Sequence, residues 1–213
     1  MRFLSDLMAS ILEFFYSYLG NWGYAIIGLT LIVRLIIWPL TIKQQKSLKR
    51  MQEIQPQLKK LQEKYKNNPE KLNKEMLALY QKHGVNPMGG CLPLLLQFPI
   101  IIALFTVLRN MEYTGSPVFI PGWINDLSVP DPYYILPVLA AVTTYITQKQ
   151  MATDPSQAQM MMFMPLLIGW FATRFPAGLA LYWVASNVFG IIQHIIAGGQ
   201  LGLKGELAPD ENN

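Results

Sequence analysis

The feature that most restricts this chain is one arginine, Arg34, set near the middle of an apolar run, residues 24–42, that holds no other charge. A run of about 20 apolar residues at 1.5 Å per residue matches a hydrocarbon core roughly 30 Å thick, and lipid obliges the backbone to bond to itself as helix. A guanidinium at that depth is expensive by at least roughly 2.5–3.5 kcal/mol, so it must face water or partners rather than lipid. Four further stretches are apolar: residues 91–108, interrupted by Pro93, Gln97 and Pro99; the short 133–147; the shorter, Met-rich 160–173; and 177–197, which carries Ser186, Asn187, Gln193 and His194. Only 14% of the 213 residues are charged, against roughly 25% in ordinary soluble domains. The chain is therefore expected to be an all-α integral membrane protein with five transmembrane helices, at 23–42, 88–109, 133–150, 158–174 and 176–198. The third and fourth stretches are short enough to be core helices or re-entrant segments instead.

Charge position orients the spans. The segment 43–87 holds eleven Lys and Arg against four Glu, a net +7, which leaves the rest of the chain at −3. Short basic loops stay in the cytoplasm. This segment is thus expected inside, the N-terminus and the loop 110–132 outside, and the linker 151–157 and tail 199–213 inside. The expected location is a bacterial plasma (inner) membrane.

Residues 1–20 place Phe3, Leu4, Leu7, Met8, Ile11, Leu12, Phe15, Tyr18 and Leu19 on one helical stripe and Arg2, Ser5, Asp6, Ser10, Glu13 and Ser17 on the other. That pattern predicts an amphipathic helix lying in the outer interface and broken at Gly20 and Asn21. A signal anchor is the alternative, although a signal core is apolar all round. In the basic segment, Leu48, Met51, Ile54 or Gln55, Leu58, Leu61 and Tyr65 recur at helical spacing, and Leu72, Met76, Leu79 or Tyr80, and His83 repeat it. Asn67-Asn68-Pro69-Glu70 between them reads as an N-cap with proline in the first turn. The expectation is a cytoplasmic antiparallel helical hairpin, kinked at Pro56. Its exposed lysines Lys59, Lys60, Lys64 and Lys66 are candidates for docking a partner, or simply a solvated face.

None of the five spans contains Asp or Glu, so Arg34 has no intramembrane carboxylate. The neutral groups that can hydrate it are Thr30, Gln97, Gln148, Tyr182, Ser186, Asn187 and Gln193. A water-accessible, positively charged groove follows; the alternative is Arg34 bonded to carbonyls in a closed bundle. Catalysis lacks its parts. There is no HExxH, no GxSxG elbow and no phosphate-binding glycine loop. Ser186 and His194 stand about 12 Å apart along one helix. The single cysteine, Cys91, excludes an internal disulfide, and neither a cofactor nor a metal is called for.

Three strings, NPMGGCLPLLLQFPI from Asn86, FPAGLALYWVASN from Phe175 and TLIVRLIIWPL from Thr30, with the hairpin sequence between them, together resemble the YidC family of membrane protein insertases. The resemblance covers about residues 23–198. It implies a five-span core with a hydrophilic groove open to cytosol and lipid and closed outside. The family's groove arginine and threonine match Arg34 and Thr30, and the aromatic pair lining the substrate path matches Tyr182 and Trp183. Gln97 falls within a family motif, whereas Gln148 does not. The implied partners are nascent membrane proteins and the bilayer, with the ribosome, signal recognition machinery and the Sec translocon as further candidates and no sequence-specific nucleic-acid binding; the hairpin is similar to the one that receives substrates and contacts ribosome or targeting machinery. The sequence departs from longer members in having no large extracytoplasmic domain, no lipobox cysteine near its start, and a tail with one Lys against three acids. A pliable role for Met151, Met160, Met161, Met162 and Met164 competes with plain packing. The competing function is a small-solute channel or carrier, which inverted repeats would favour; the sequence has none.

Overall fold

The structure is a computed structural model that describes residues 2–85, 92–110, 117–151 and 158–197. The motif start at 86–91, the linker 152–157 and the tail 199–213 lie outside these residues, as do the side chains of Met151, Met160, Met161 and Met162. The described residues form seven helices: α1 (Arg2–Leu19), α2 (Trp22–Lys64), α3 (Pro69–Lys82), α4 (Leu92–Asn110), α5 (Ile135–Met151), α6 (Ala158–Ala172) and α7 (Ala177–Ile196). Helices α2 and α7 are long and apolar enough to cross a membrane by themselves, whereas Gln97–Arg109 and Phe163–Ala172 are shorter apolar helical stretches.

The surface of α1 divides into three arcs. Met8 and Leu12 are buried in the main core, with Leu4, Ile11 and Phe15 packed beside them. Phe3, Leu7, Phe14 and Tyr18 are exposed apolar groups on one flank. At 100° per residue Arg2, Asp6, Ser10, Glu13 and Ser17 occupy the remaining arc. Gly20, at φ +64, makes the turn into α2, and the Tyr16 and Trp22 rings stack across it at 4.0 Å.

Helix α2 runs 43 residues without a break, so the first hairpin arm continues the apolar segment instead of starting anew. No helix stop intervenes between Ile42 and Arg50, where Lys and Gln are good helix formers. Pro39 and Pro56 lie inside the helix, each removing one backbone bond. Asn68 caps α3, its Oδ1 accepting from Lys71 N at 3.1 Å, with Pro69 at the first helical position. The hairpin core consists of Met51, Ile54, Leu58 and Val85, with Met76, Leu79 and Tyr80 partly covered. Ile54 rather than Gln55 turns inward, and no residue of α3 is fully buried.

Residues 117–134 tie three helix starts together at one end of the bundle. Val129 and Leu127 carbonyls accept from Ala177 N at 2.7 Å and Gly178 N at 2.9 Å, serving α7, whose N-cap Pro176 offers no side-chain acceptor. Buried Asp131 accepts from Trp123 Nε1 (2.9 Å), Tyr133 N (3.0 Å) and Leu136 N (2.7 Å), which pins the first turn of α5. Asn21 caps α2 through its Oδ1, accepting from Gly23 N at 2.8 Å, while its Nδ2 donates to Phe119 O at 3.0 Å. The Phe119 ring occupies the space a Cβ on Gly23 would need.

Candidate functional site

The polar groups of α7 fall on two neighbouring stripes. Tyr182, Ser186, Gly190 and Gln193 follow one another at three- and four-residue steps, and Trp183 and Asn187 form the adjacent row. The first stripe meets α2 and α4. Arg34 Nε donates to Ser186 Oγ at 3.0 Å, and Gln193 Nε2 donates to the Arg34 carbonyl at 3.2 Å. Gln97 Nε2 of α4 donates to the Tyr182 hydroxyl at 2.8 Å. The second stripe meets α5. Trp183 Nε1 donates to Thr144 Oγ1 at 2.9 Å, and Asn187 Nδ2 to Thr143 and Thr144 Oγ1, each at 3.1 Å.

Arg34 is partly buried. Among the described residues, of its guanidinium nitrogens only Nε carries a hydrogen bond, and no acidic side chain pairs with it. A hydrogen bond to an ionised group is worth about 1.5–3 kcal/mol. One such bond fixes the guanidinium against α7 while its charge stays uncompensated. The flat group lies on Gly190, where a Cβ would stand 3.0–3.3 Å from Nη1, Nη2 and Cζ.

Of the residues expected to form the site, Arg34 and Ser186 are joined directly, Gln97 and Tyr182 form a second pair, and Trp183 and Asn187 turn toward α5. Thr30 is fully buried beneath Arg34, its hydroxyl donating to Ile26 O at 2.7 Å along its own helix. Gln148 is partly buried, and its Oε1 has no partner among the described residues. Lys59, Lys60, Lys64 and Lys66 are exposed at the far end of the hairpin. Lys64 and Lys71 each place Nζ 5.3 Å from the centre of the Tyr65 ring.

Sequence reasoning missed Gly190, Thr143 and Thr144. The signal for Gly190 was its place one turn beyond Ser186, a small-xxx-small spacing that lets groups approach a helix backbone closely. The paired threonines stood in an apolar span where any hydroxyl seeks a partner.

Residues 14–201 match the family described as 60Kd inner membrane protein. The chain is 46% identical over 208 residues to a membrane protein insertase YidC of Wolinella succinogenes, covering 96% of this chain and 38% of that protein. It is 47% identical over 190 residues to one of Helicobacter pylori, covering 87% of this chain and 34% of that protein. The chain thus spans between a third and two fifths of the length of these relatives. A crystal structure of an active YidC insertase with its first transmembrane domain resolved superposes with a TM-score of 0.74 at 31% identity, over 90% of this chain and 45% of that one.

Proposed function

From the premise that this chain belongs to the 60Kd inner membrane protein family, whose curated relatives are YidC membrane protein insertases, we propose that it receives nascent membrane proteins from the cytosol and releases their apolar segments laterally into the bilayer. The observation that carries this reading is the Arg34 guanidinium, bound through Nε to Ser186 and matched by no carboxylate among the described residues.

A hydrophilic, often acidic, segment of the incoming chain enters a groove between α2, α4, α5 and α7. There Arg34 attracts it, and neutral amides and hydroxyls replace part of its lost hydration. The adjoining apolar segment leaves sideways into lipid, gaining about 0.8 kcal/mol for each CH₂ buried. No nucleotide is needed, because a 20-residue apolar helix supplies ample driving force. Five spans carry the groove, oriented with the basic hairpin and the tail in the cytoplasm and α1 on the outer surface of a bacterial inner membrane. The outer loop supports closure on that side, since it binds the starts of α2, α5 and α7 into one cap. The lysines of the hairpin offer a surface to the ribosome, signal recognition machinery or the Sec translocon.

The test is reconstitution of the full chain in vesicles with a single-span substrate carrying an acidic tail. The proposal predicts that the tail becomes protected from external protease. Passage of small solutes without tail protection would instead establish a channel or carrier.

A further inference from the structure

Two arginines stand at the end of the bundle opposite the basic hairpin, on the side where short loops carry few cations. The loop 110–132 there holds no Lys or Arg. Arg109 lies in the last turn of α4 and Arg174 in the turn between α6 and α7, and both are exposed. No carboxylate among the described residues pairs with either. Of the acids in the adjoining loop, Asp126 accepts from the Ser128 N–H and hydroxyl, and Asp131 is taken up by its three donors.

A row of aromatic rings makes one patch of the two. Arg109 Cζ lies 6.0 Å from the centre of the Phe105 ring. Phe105 meets Phe175, the neighbour of Arg174 in sequence, edge to face at 5.7 Å. The row continues from Phe175 to Phe171 at 6.1 Å and from Phe171 to Trp170 at 5.1 Å. Phe105 and Phe175 pack against the main core, whereas Phe171 and Trp170 are 41% and 56% exposed. The depth of the patch follows from Arg34, which is near the middle of its span. About 14 Å of helix rise separates Ser186, which holds Arg34, from Ala177 at the start of α7. On α4, about 18 Å separates Gln97, bonded to Tyr182, from Arg109. Half of a hydrocarbon core is about 15 Å, so both arginines stand at or just past its edge, at the level of lipid phosphates.

We infer that Arg109 and Arg174 bind the phosphate of an anionic phospholipid in the leaflet opposite the hairpin, with the acyl chains lying along Phe171 and Trp170. A guanidinium fork matches phosphate oxygens and sheds its water more readily than an ammonium does. Two of them favour a headgroup of net negative charge, such as phosphatidylglycerol, and repel the choline ammonium of phosphatidylcholine, which carries the same phosphate. A phosphate bridging the ends of α4 and the α6–α7 turn supplies the counter-charge that the protein itself withholds. The site is independent of the insertase reading, and its failure would leave that reading untouched.

Tryptophan fluorescence of the full chain in phosphatidylcholine vesicles tests this, with part of the lipid replaced by phosphatidylglycerol or phosphatidylcholine brominated on its acyl chains. Bromine quenches an indole it touches, and the part of the signal lost in Trp170→Phe reports the lipid at the patch. Brominated phosphatidylglycerol should quench that part as strongly as roughly tenfold more brominated phosphatidylcholine, since two guanidiniums act on one headgroup. Arg109→Gln/Arg174→Gln should reduce the preference to within about twofold, and Arg109→Lys/Arg174→Lys should keep part of it. Lys43→Gln/Lys46→Gln, at the opposite end of the bundle, should leave it unchanged. Equal quenching by the two lipids in wild type, a preference that survives the glutamine pair at 109 and 174, or one that the pair at 43 and 46 abolishes would overturn the site.

Discussion

Arg34 is positioned by three contacts on α7: the Ser186 hydroxyl at Nε, the Gln193 amide on its carbonyl, and the bare backbone of Gly190 under its plane. The last is the most sensitive, because a Cβ at 190 would stand only 3.0–3.3 Å from the guanidinium, and a branched side chain would push it away. Gly190→Val should swing the guanidinium off Ser186 and lower insertion of an acidic-tailed substrate about tenfold, the worth of one charge-assisted bond. The folded protein should persist, since the group displaced is the end of a flexible side chain. Protease protection of the substrate tail measures the effect, and unchanged insertion would show that the guanidinium works from elsewhere. Arg34 itself was legible because one charge in an apolar run has few physical solutions. Gly190 was not, because a glycine in an apolar helix announces small size without saying what rests on it.

The helices explain why some elements were readable and others shifted. Helical periodicity and the Asn68-Pro69 cap identify the hairpin, and the cap is where the sequence put it. The division between span and hairpin was not visible as structure, because hydropathy changes at Lys43 while backbone preference does not, and α2 continues through it. The loop 117–134 carried no periodic signal at all; its order comes from long-range bonds to helix starts. Asp131 is the centre of that order. Asp131→Ala would free two backbone N–H groups and the Trp123 indole and should destabilise the protein by about 2–4 kcal/mol in detergent thermal unfolding. Asp131→Asn should fall between alanine and wild type. A second test is Gly23→Ala, which sets a methyl into the Phe119 ring and should cost about 1–3 kcal/mol by overpacking. Melting temperatures unchanged in both variants would mean that the loop does not cap the bundle.

At the scale of the molecule, the arrangement is polar from end to end: a cap joining α2, α5 and α7 at one end, an uncompensated guanidinium midway, and a basic hairpin at the other. Charge distribution alone predicted that polarity, whereas the pairing of polar groups across helices needed coordinates, since periodicity assigns faces but not partners. A cysteine replacing Ser128 should react with a membrane-impermeant thiol reagent from one side of the membrane, and one replacing Lys60 only from the other. Labelling of both from the same side would refute the topology. The central claim is that a positive charge at position 34 draws acidic polypeptide into the membrane. Comparing wild type, Arg34→Ala and Arg34→Lys in vesicles with an acidic-tailed single-span substrate tests it most directly. The account predicts that alanine cripples protection of the tail while lysine retains much of it; equal insertion by wild type and the alanine form would contradict it.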